Sequence, residues 1–172
     1  MKYWTSGFGW SLLIAFFLIY FVMLQAAVTA YRTVPMDQAR QTFNQMMTER
    51  SKLTAMDIFI NNLYASWTLI IPIIGIFPFI VVMYNTGWVI GEMSLVYNIY
   101  PSVILHYLLI AGFVEILAYA ILLAENIYFS ALTLTGGSYK ERIPYIAVSA
   151  ILYVFLLYVA AVLEAIVIAA GA

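Results

Sequence analysis

The chain has 172 residues, 66% hydrophobic and only 9% charged, against roughly half apolar and about a quarter charged in a soluble domain. This is the composition of a protein that lives in a lipid bilayer. Seven Lys and Arg against eight Asp and Glu leave a net charge of −1, which offers no basic surface to nucleic acid and no polybasic tract for docking on anionic lipid. The chain contains no Cys, so disulfides, thiolate metal centres, iron–sulfur clusters and a Cys nucleophile are excluded.

The length accommodates about four to six membrane helices at about 20 residues per crossing. The first apolar run covers 8–28, with Lys2, Trp4 and Trp10 suited to the headgroup boundary. Lys2, the apolar run and Val28-Thr29-Ala30 loosely imitate a signal peptide. The run is longer than a typical signal core, however, and reads as a retained helix. From Tyr31 to Asp57 the composition changes: Arg32, Asp37, Arg40, Glu49, Arg50, Lys52 and Asp57 gather in one segment. Pro35 can start a helix there, and Met36, Ala39, Phe43, Met46 and Met47 fall on one face. An extramembrane amphipathic helix is expected at about 35–56, packed by its apolar stripe on the protein's own bundle or the lipid boundary. Thr54-Ala-Met-Asp57 has the form of a capping box and starts the next helix.

The apolar stretch from Ile58 to Met93 is too long for one crossing, and Pro72, Gly75 and Pro78 interrupt it. It divides into a second span at about 58–76 and a third at about 78–96, with no charge between Ile71 and Phe79. The link is therefore very short or dips into the membrane, where only protein or a water-filled cavity can cover non-helical backbone. Residues 101–134 as one helix would measure about 51 Å against a hydrocarbon core of roughly 30 Å. A break at Gly112 would give a half-helix at 101–111 and a crossing at 113–134; the alternative is one long projecting helix. Gly136-Gly137-Ser138 then makes a turn before Lys140, Glu141 and Arg142, and the last crossing covers about 143–169. The expected fold is all-α: a single polytopic transmembrane bundle over 1–172, about five helices, with broken or re-entrant segments near 72–78 and 112. With five crossings, three basic residues share one side with the N-terminus and four the other. The short loop at 135–142 favours a cytoplasmic N-terminus.

Polar groups at bilayer depth are functional candidates by default. Glu92 and Glu125 lie near predicted helix ends and reach the interface in the simplest reading, as does Glu164 near the C-terminus. Glu115 differs, because Ala111, Tyr119, Leu122, Asn126 and Thr133 fall on its face of the helix. That face should point into the bundle, with Tyr119 and Asn126 sharing hydrogen bonds around the carboxyl. Its roles are interhelical glue or a step in a conduction path. A second polar group comprises Asn61 and Asn62 early in the second span and Asn85 in the third. Gly87 and Gly91 form a small-xxx-small pair for close helix packing, which Asn85 would bridge. His106, the only His, would lie opposite Glu115 on a continuous helix and reads as an interface residue. No zinc motif, no intramembrane Asp dyad and no Ser–His pairing is present, so neither a metal, a cofactor nor enzyme activity is expected.

In combination these residues are similar to a known family. Phe59-Ile60-Asn61-Asn62, then Pro72 and Gly75, then Asn85-x-Gly87-x-x-x-Gly91, then Ala111-Gly112-Phe113-Val114-Glu115 resembles the stage II sporulation protein M family, strongly over about 55–135. Two positions depart from its pattern: Ala111 stands where the family has His, and Thr86 displaces a Gly to position 87. The resemblance carries over to Asn61, Asn62, Asn85, Gly87, Gly91, Gly112 and Glu115. It implies a multi-pass membrane protein of roughly five helices, in a family whose namesake is a scaffold in a complex that remodels the septal cell wall.

The leading expectation is a non-enzymatic scaffold or structural subunit of the cell membrane. It would associate with the lipid bilayer and with further copies or other membrane subunits, through the small-residue faces at Gly87, Gly91 and Gly112. The alternative is a small transporter or channel in which Glu115, Asn61, Asn62, Asn85 and Asn126 line a polar cavity.

Overall fold

A computed structural model describes residues 7–137 and 140–170, with the side chains of Ala111 and Glu141 outside the description. Lys2, Trp4 and Ser138 also lie outside the described residues. The elements are all helical: α1 (Gly7–Thr33), α2 (Met36–Arg50), α3 (Ala55–Ser66), a 3₁₀ turn (Trp67–Ile70), α4 (Ile76–Tyr97), α5 (Pro101–Ala111), α6 (Phe113–Leu134), a second 3₁₀ turn (Lys140–Arg142) and α7 (Ile143–Ala169). Four of them, α1, α4, α6 and α7, are long and apolar enough to cross a membrane, and α5 is a shorter apolar helix.

The second span differs from the sequence expectation. In place of an α-helix over 58–76, regular helix stops at Ser66, the 3₁₀ turn follows, and the chain reverses through Ile71–Gly75. Pro72 explains part of this, since it cannot continue the ladder of hydrogen bonds. Gly75 explains the rest: a Cβ there would overlap the Thr68 carbonyl and lie 2.6 Å from that of Ile71. Pro78 sits within the first turn of α4, where its missing N–H costs nothing. The α3 arm and its 3₁₀ extension reach about 26 Å, nearly the hydrocarbon thickness, before the chain turns back. At Gly112 the chain breaks as the half-helix reading requires, with Gly112 capping both α5 and α6.

Helix α6 is the axis of the bundle. Within its apolar window 56% of residues are buried, against 28% in α1 and in α7, and it packs on both of those helices. Helix α1 in turn packs along α4, α7 packs on α3, and α2 lies against α4. Helix α2 is shorter than expected and ends at Arg50. From its stripe Ala39 is fully buried and Phe43 meets the Tyr97 ring edge-on at 5.4 Å, while Met36 and Met47 stay exposed.

Gly87 and Gly91 hold α4 against α1 of the same chain. A Cβ on Gly87 would overlap the Met23 carbonyl and stand 2.7 Å from the Met23 Cα; one on Gly91 would overlap the Ala27 carbonyl and stand 2.7 Å from the Ala30 Cβ. This corrects the expectation that these faces join separate subunits, and it corrects the position of Asn85. Two residues from Gly87 is about 200° around the helix, so Asn85 is exposed on the opposite side from that contact.

The capping box at the start of α3 is complete. Asp57 Oδ2 accepts from the Thr54 N–H at 2.9 Å and the Thr54 hydroxyl at 2.6 Å, and the Asp57 N–H donates to Thr54 Oγ1 at 3.2 Å.

Two outcomes follow. Gly91→Leu forces backbone apart, costs more than the ~1–3 kcal/mol of unfolding free energy typical of overpacking, and so lowers the midpoint of thermal unfolding in detergent. Gly9→Ala, where a Cβ meets nothing within 4 Å, leaves the midpoint unchanged. The Thr54 bonds hold the Asp57 carboxyl below its usual range, so this cap contributes stability above the ordinary Asp value of about 3.9. The contribution falls away as pH drops through the lowered value, and Asp57→Asn removes that acid-dependent part of the melting profile.

Candidate functional site

The polar groups of the bundle form three sets, and α6 contributes to each. The first closes the re-entrant turn. Asn126, buried, donates from Nδ2 to the carbonyls of Leu69 and Ile71, both at 2.7 Å. One turn on, Ser130 Oγ accepts the Ile73 N–H at 2.7 Å and donates to Asn126 Oδ1 at 3.2 Å. These bonds replace the helical partners lost where α3 stops. They also hold Ile73 at φ 66°, a left-handed conformation that a β-branched residue adopts only when its surroundings impose it. Asn126 therefore serves the re-entrant backbone and not Glu115, from which it is three helical turns away, about 16 Å.

The second set is an ion pair buried at the α6–α7 hairpin. Arg142, 5% exposed, donates from Nη2 to both oxygens of Glu125, 3% exposed, at 2.9 Å, and from Nε to Oε2 at 3.2 Å. Ser149 completes the carboxylate shell by donating to Oε1 at 2.7 Å. The guanidinium lies 5.4, 4.6 and 5.2 Å from the ring centroids of Phe8, Tyr128 and Tyr145. Aromatic faces thus supply the electrostatic complement that water would otherwise give. Glu125 does not reach the interface, as its place near a helix end had implied, because α1 and α7 cover it. The signal in the sequence was symmetry: Glu125 and Ser149 are equidistant from Gly137, so an antiparallel hairpin turning there brings them level.

The third set contains Glu115. Tyr119 OH donates to Glu115 Oε1 at 2.8 Å, and Glu115 as a whole residue is half-buried. Glu164 of α7 and Arg50 at the end of α2 share its electrostatic surroundings and pair with each other at 2.8 Å. Beyond Tyr119, the Tyr153 and Ser66 hydroxyls are hydrogen-bonded to each other between α7 and α3. Glu164, itself partly exposed, is therefore tied to the half-exposed end of α2. Glu92 is buried and accepts from Trp88 Nε1 at 3.2 Å and from Thr42 of α2. His106 is exposed on α5, bonded to the Ser102 carbonyl and near the Tyr20 ring.

Asn61 and Asn85 are exposed and Asn62 is half-exposed, and none makes a side-chain hydrogen bond among the described residues. Asn126 bonds elsewhere, so of the polar cluster inferred from sequence only Glu115 and Tyr119 are joined. Neither the apolar cavity lined by Leu18, Ile19, Val22, Phe79, Met83 and Leu123 nor the open depression beside Asn44 and Lys52 includes Glu115. No group of three or more His, Asp or Glu among the described residues has the arrangement of a metal site.

An all-α chain with four helices long and apolar enough to cross a membrane, packed around buried pairs of polar side chains, is a multi-pass integral membrane protein. It belongs to the stage II sporulation protein M family, whose pattern is matched over residues 10–167. No curated protein and no solved structure matches the chain.

The buried sets make distinct demands on stability. Asn126→Leu leaves two carbonyls unpaired and costs about 3 kcal/mol or more in detergent unfolding. Arg142→Met strands the Glu125 carboxylate and costs about 3–5 kcal/mol, whereas the double change Arg142→Met with Glu125→Leu recovers most of the loss.

Proposed function

We propose that the protein is a non-enzymatic structural subunit that scaffolds a membrane assembly. One observation carries this reading: the buried polar side chains Asn126, Ser130, Glu125, Arg142, Ser149, Ser66 and Tyr153 are bonded to one another or to the backbone before α4, and among them only Nη1 of Arg142, set among the rings of Phe8, Tyr128 and Tyr145, lacks a hydrogen-bond partner. Asn126 and Ser130 fasten Leu69–Ile73, Glu125 is held by Arg142 and Ser149, and Tyr153 meets Ser66. A conduction path needs polar groups that exchange partners with a passing solute or proton, and a bundle fastened in this way supports rigidity instead. The Asn85 amide, without a hydrogen bond among the described residues, is on the outside of α4, where a neighbouring subunit rather than an internal cavity would meet it.

A transporter reading has one observation in its favour. Glu115 keeps part of its surface open and stands beside Arg50 and Glu164, so charged groups extend from the α2 side toward the membrane interior. Interrupted helices also frame many transport sites.

The two readings part on one pair of measurements. A scaffold purifies in mild detergent as a stable assembly of defined mass, and Glu115→Gln changes neither that mass nor the ion permeability of proteoliposomes. Flux that is present in the natural protein and lost in Glu115→Gln would establish the transporter.

A further inference from the structure

Asn85 is an uncommon residue for its place. It lies near the middle of α4, about 14 Å along the helix from Ile76 and about 18 Å from Tyr97, in a helix long and apolar enough to cross the membrane. Its side of α4 is exposed, together with Phe77, Val81 and Tyr84. The neighbouring Thr86 satisfies its hydroxyl on the Val82 carbonyl at 3.0 Å, but the Asn85 amide has no such bond among the described residues. Asn61 is a different case. It is one turn from the water-exposed Asp57 on the short α3 arm, so its amide has aqueous groups within reach. An amide at the centre of a full-length span has hydrocarbon around it unless protein covers it, and hydrocarbon offers neither donor nor acceptor.

Resting on the scaffold reading, we infer that the Phe77–Val81–Asn85 face of α4 is the contact between two copies of this chain, related by a two-fold axis along the membrane normal. Self-association is the occupant this face fits, because a primary amide carries both donors and an acceptor. On a two-fold axis each Asn85 donates to the carbonyl oxygen of its counterpart and accepts in return, so one residue type satisfies both sides. Copies inserted in the same orientation bring the two α4 helices together in parallel, which sets position 85 opposite position 85. Val81 and Phe77, one and two turns away on the same stripe, then pack across the contact. The opposite side of α4 is already filled by α1 against Gly87 and Gly91, so pairing through the Asn85 face leaves the internal packing undisturbed.

The absence of Cys makes the test direct. Single substitutions Phe77→Cys, Val81→Cys and, as a control on the exposed face of α7, Ile151→Cys are introduced into the full chain and oxidised in native membranes. Phe77→Cys and Val81→Cys form disulfide-linked dimers and Ile151→Cys does not. In parallel, Asn85→Leu weakens self-association in detergent roughly three- to tenfold by analytical ultracentrifugation, while Asn61→Leu leaves it unchanged; a circular dichroism melt matching the natural protein shows that Asn85→Leu still folds. Cross-linking through Ile151→Cys but neither α4 position, or an unchanged association constant in Asn85→Leu, overturns the α4 contact and leaves the scaffold reading standing. A chain that is monomeric and copurifies with no other membrane protein overturns both.

Discussion

The amide of Asn126 fastens the turn at which this chain reverses direction between α3 and α4. A polypeptide that leaves α-helical geometry takes its carbonyls and N–H groups out of the helical ladder, and the stretch from Trp67 to Gly75 does so. Asn126 and Ser130, one turn apart on α6, restore three of those bonds. The arrangement also accounts for the strained left-handed Ile73, since a backbone held at both ends by buried partners has little room to relax. Helix α6 must then be fixed in turn, and its place at the centre of the bundle between α1 and α7 does that.

The Glu125–Arg142 pair extends the same logic to the other end of α6. A buried ion pair is seldom a strong source of stability, because both charges give up water to form it. Its value is directional. Bidentate geometry, a Ser149 hydroxyl and three aromatic faces define one arrangement of α1, α6 and α7, and a slipped hairpin would leave a charge buried alone. Arg142 is thereby removed from the basic residues exposed at the 135–142 turn, so counting it as an exposed topology determinant misjudges that loop.

Scaffolding suits a protein whose interior is arranged in this way. Polar side chains that fasten helices to each other yield a rigid body, and a rigid body presents its outer faces in fixed relation to one another. The α1–α4 contact, made close by Gly87 and Gly91, sets the angle of α4 and with it the direction in which Asn85 points. Internal packing and the proposed contact between copies would then fall on opposite sides of a single helix.

Much of the fold is legible in the residues alone, because the bilayer imposes length and polarity on any segment that enters it. Hydropathy marks the four long spans; Thr54 and Asp57 mark the start of α3; Gly112 and the Gly136-Gly137 pair mark the breaks around α6. The family's pattern is matched over residues 10–167, which takes in all four long spans. What the sequence could not determine is which polar residue meets which. Helical periodicity placed Glu115, Tyr119 and Asn126 on one face, yet a face spans several neighbours along its length, and Asn126 meets the carbonyls of Leu69 and Ile71 while Glu115 accepts from Tyr119. Glu125 lay near a helix end and read as solvated until α1 and α7 covered it. Local chemistry follows from the order of residues, whereas hydrogen-bond partners across 55 or 57 positions depend on how the helices are arranged, and only the tertiary structure decides that.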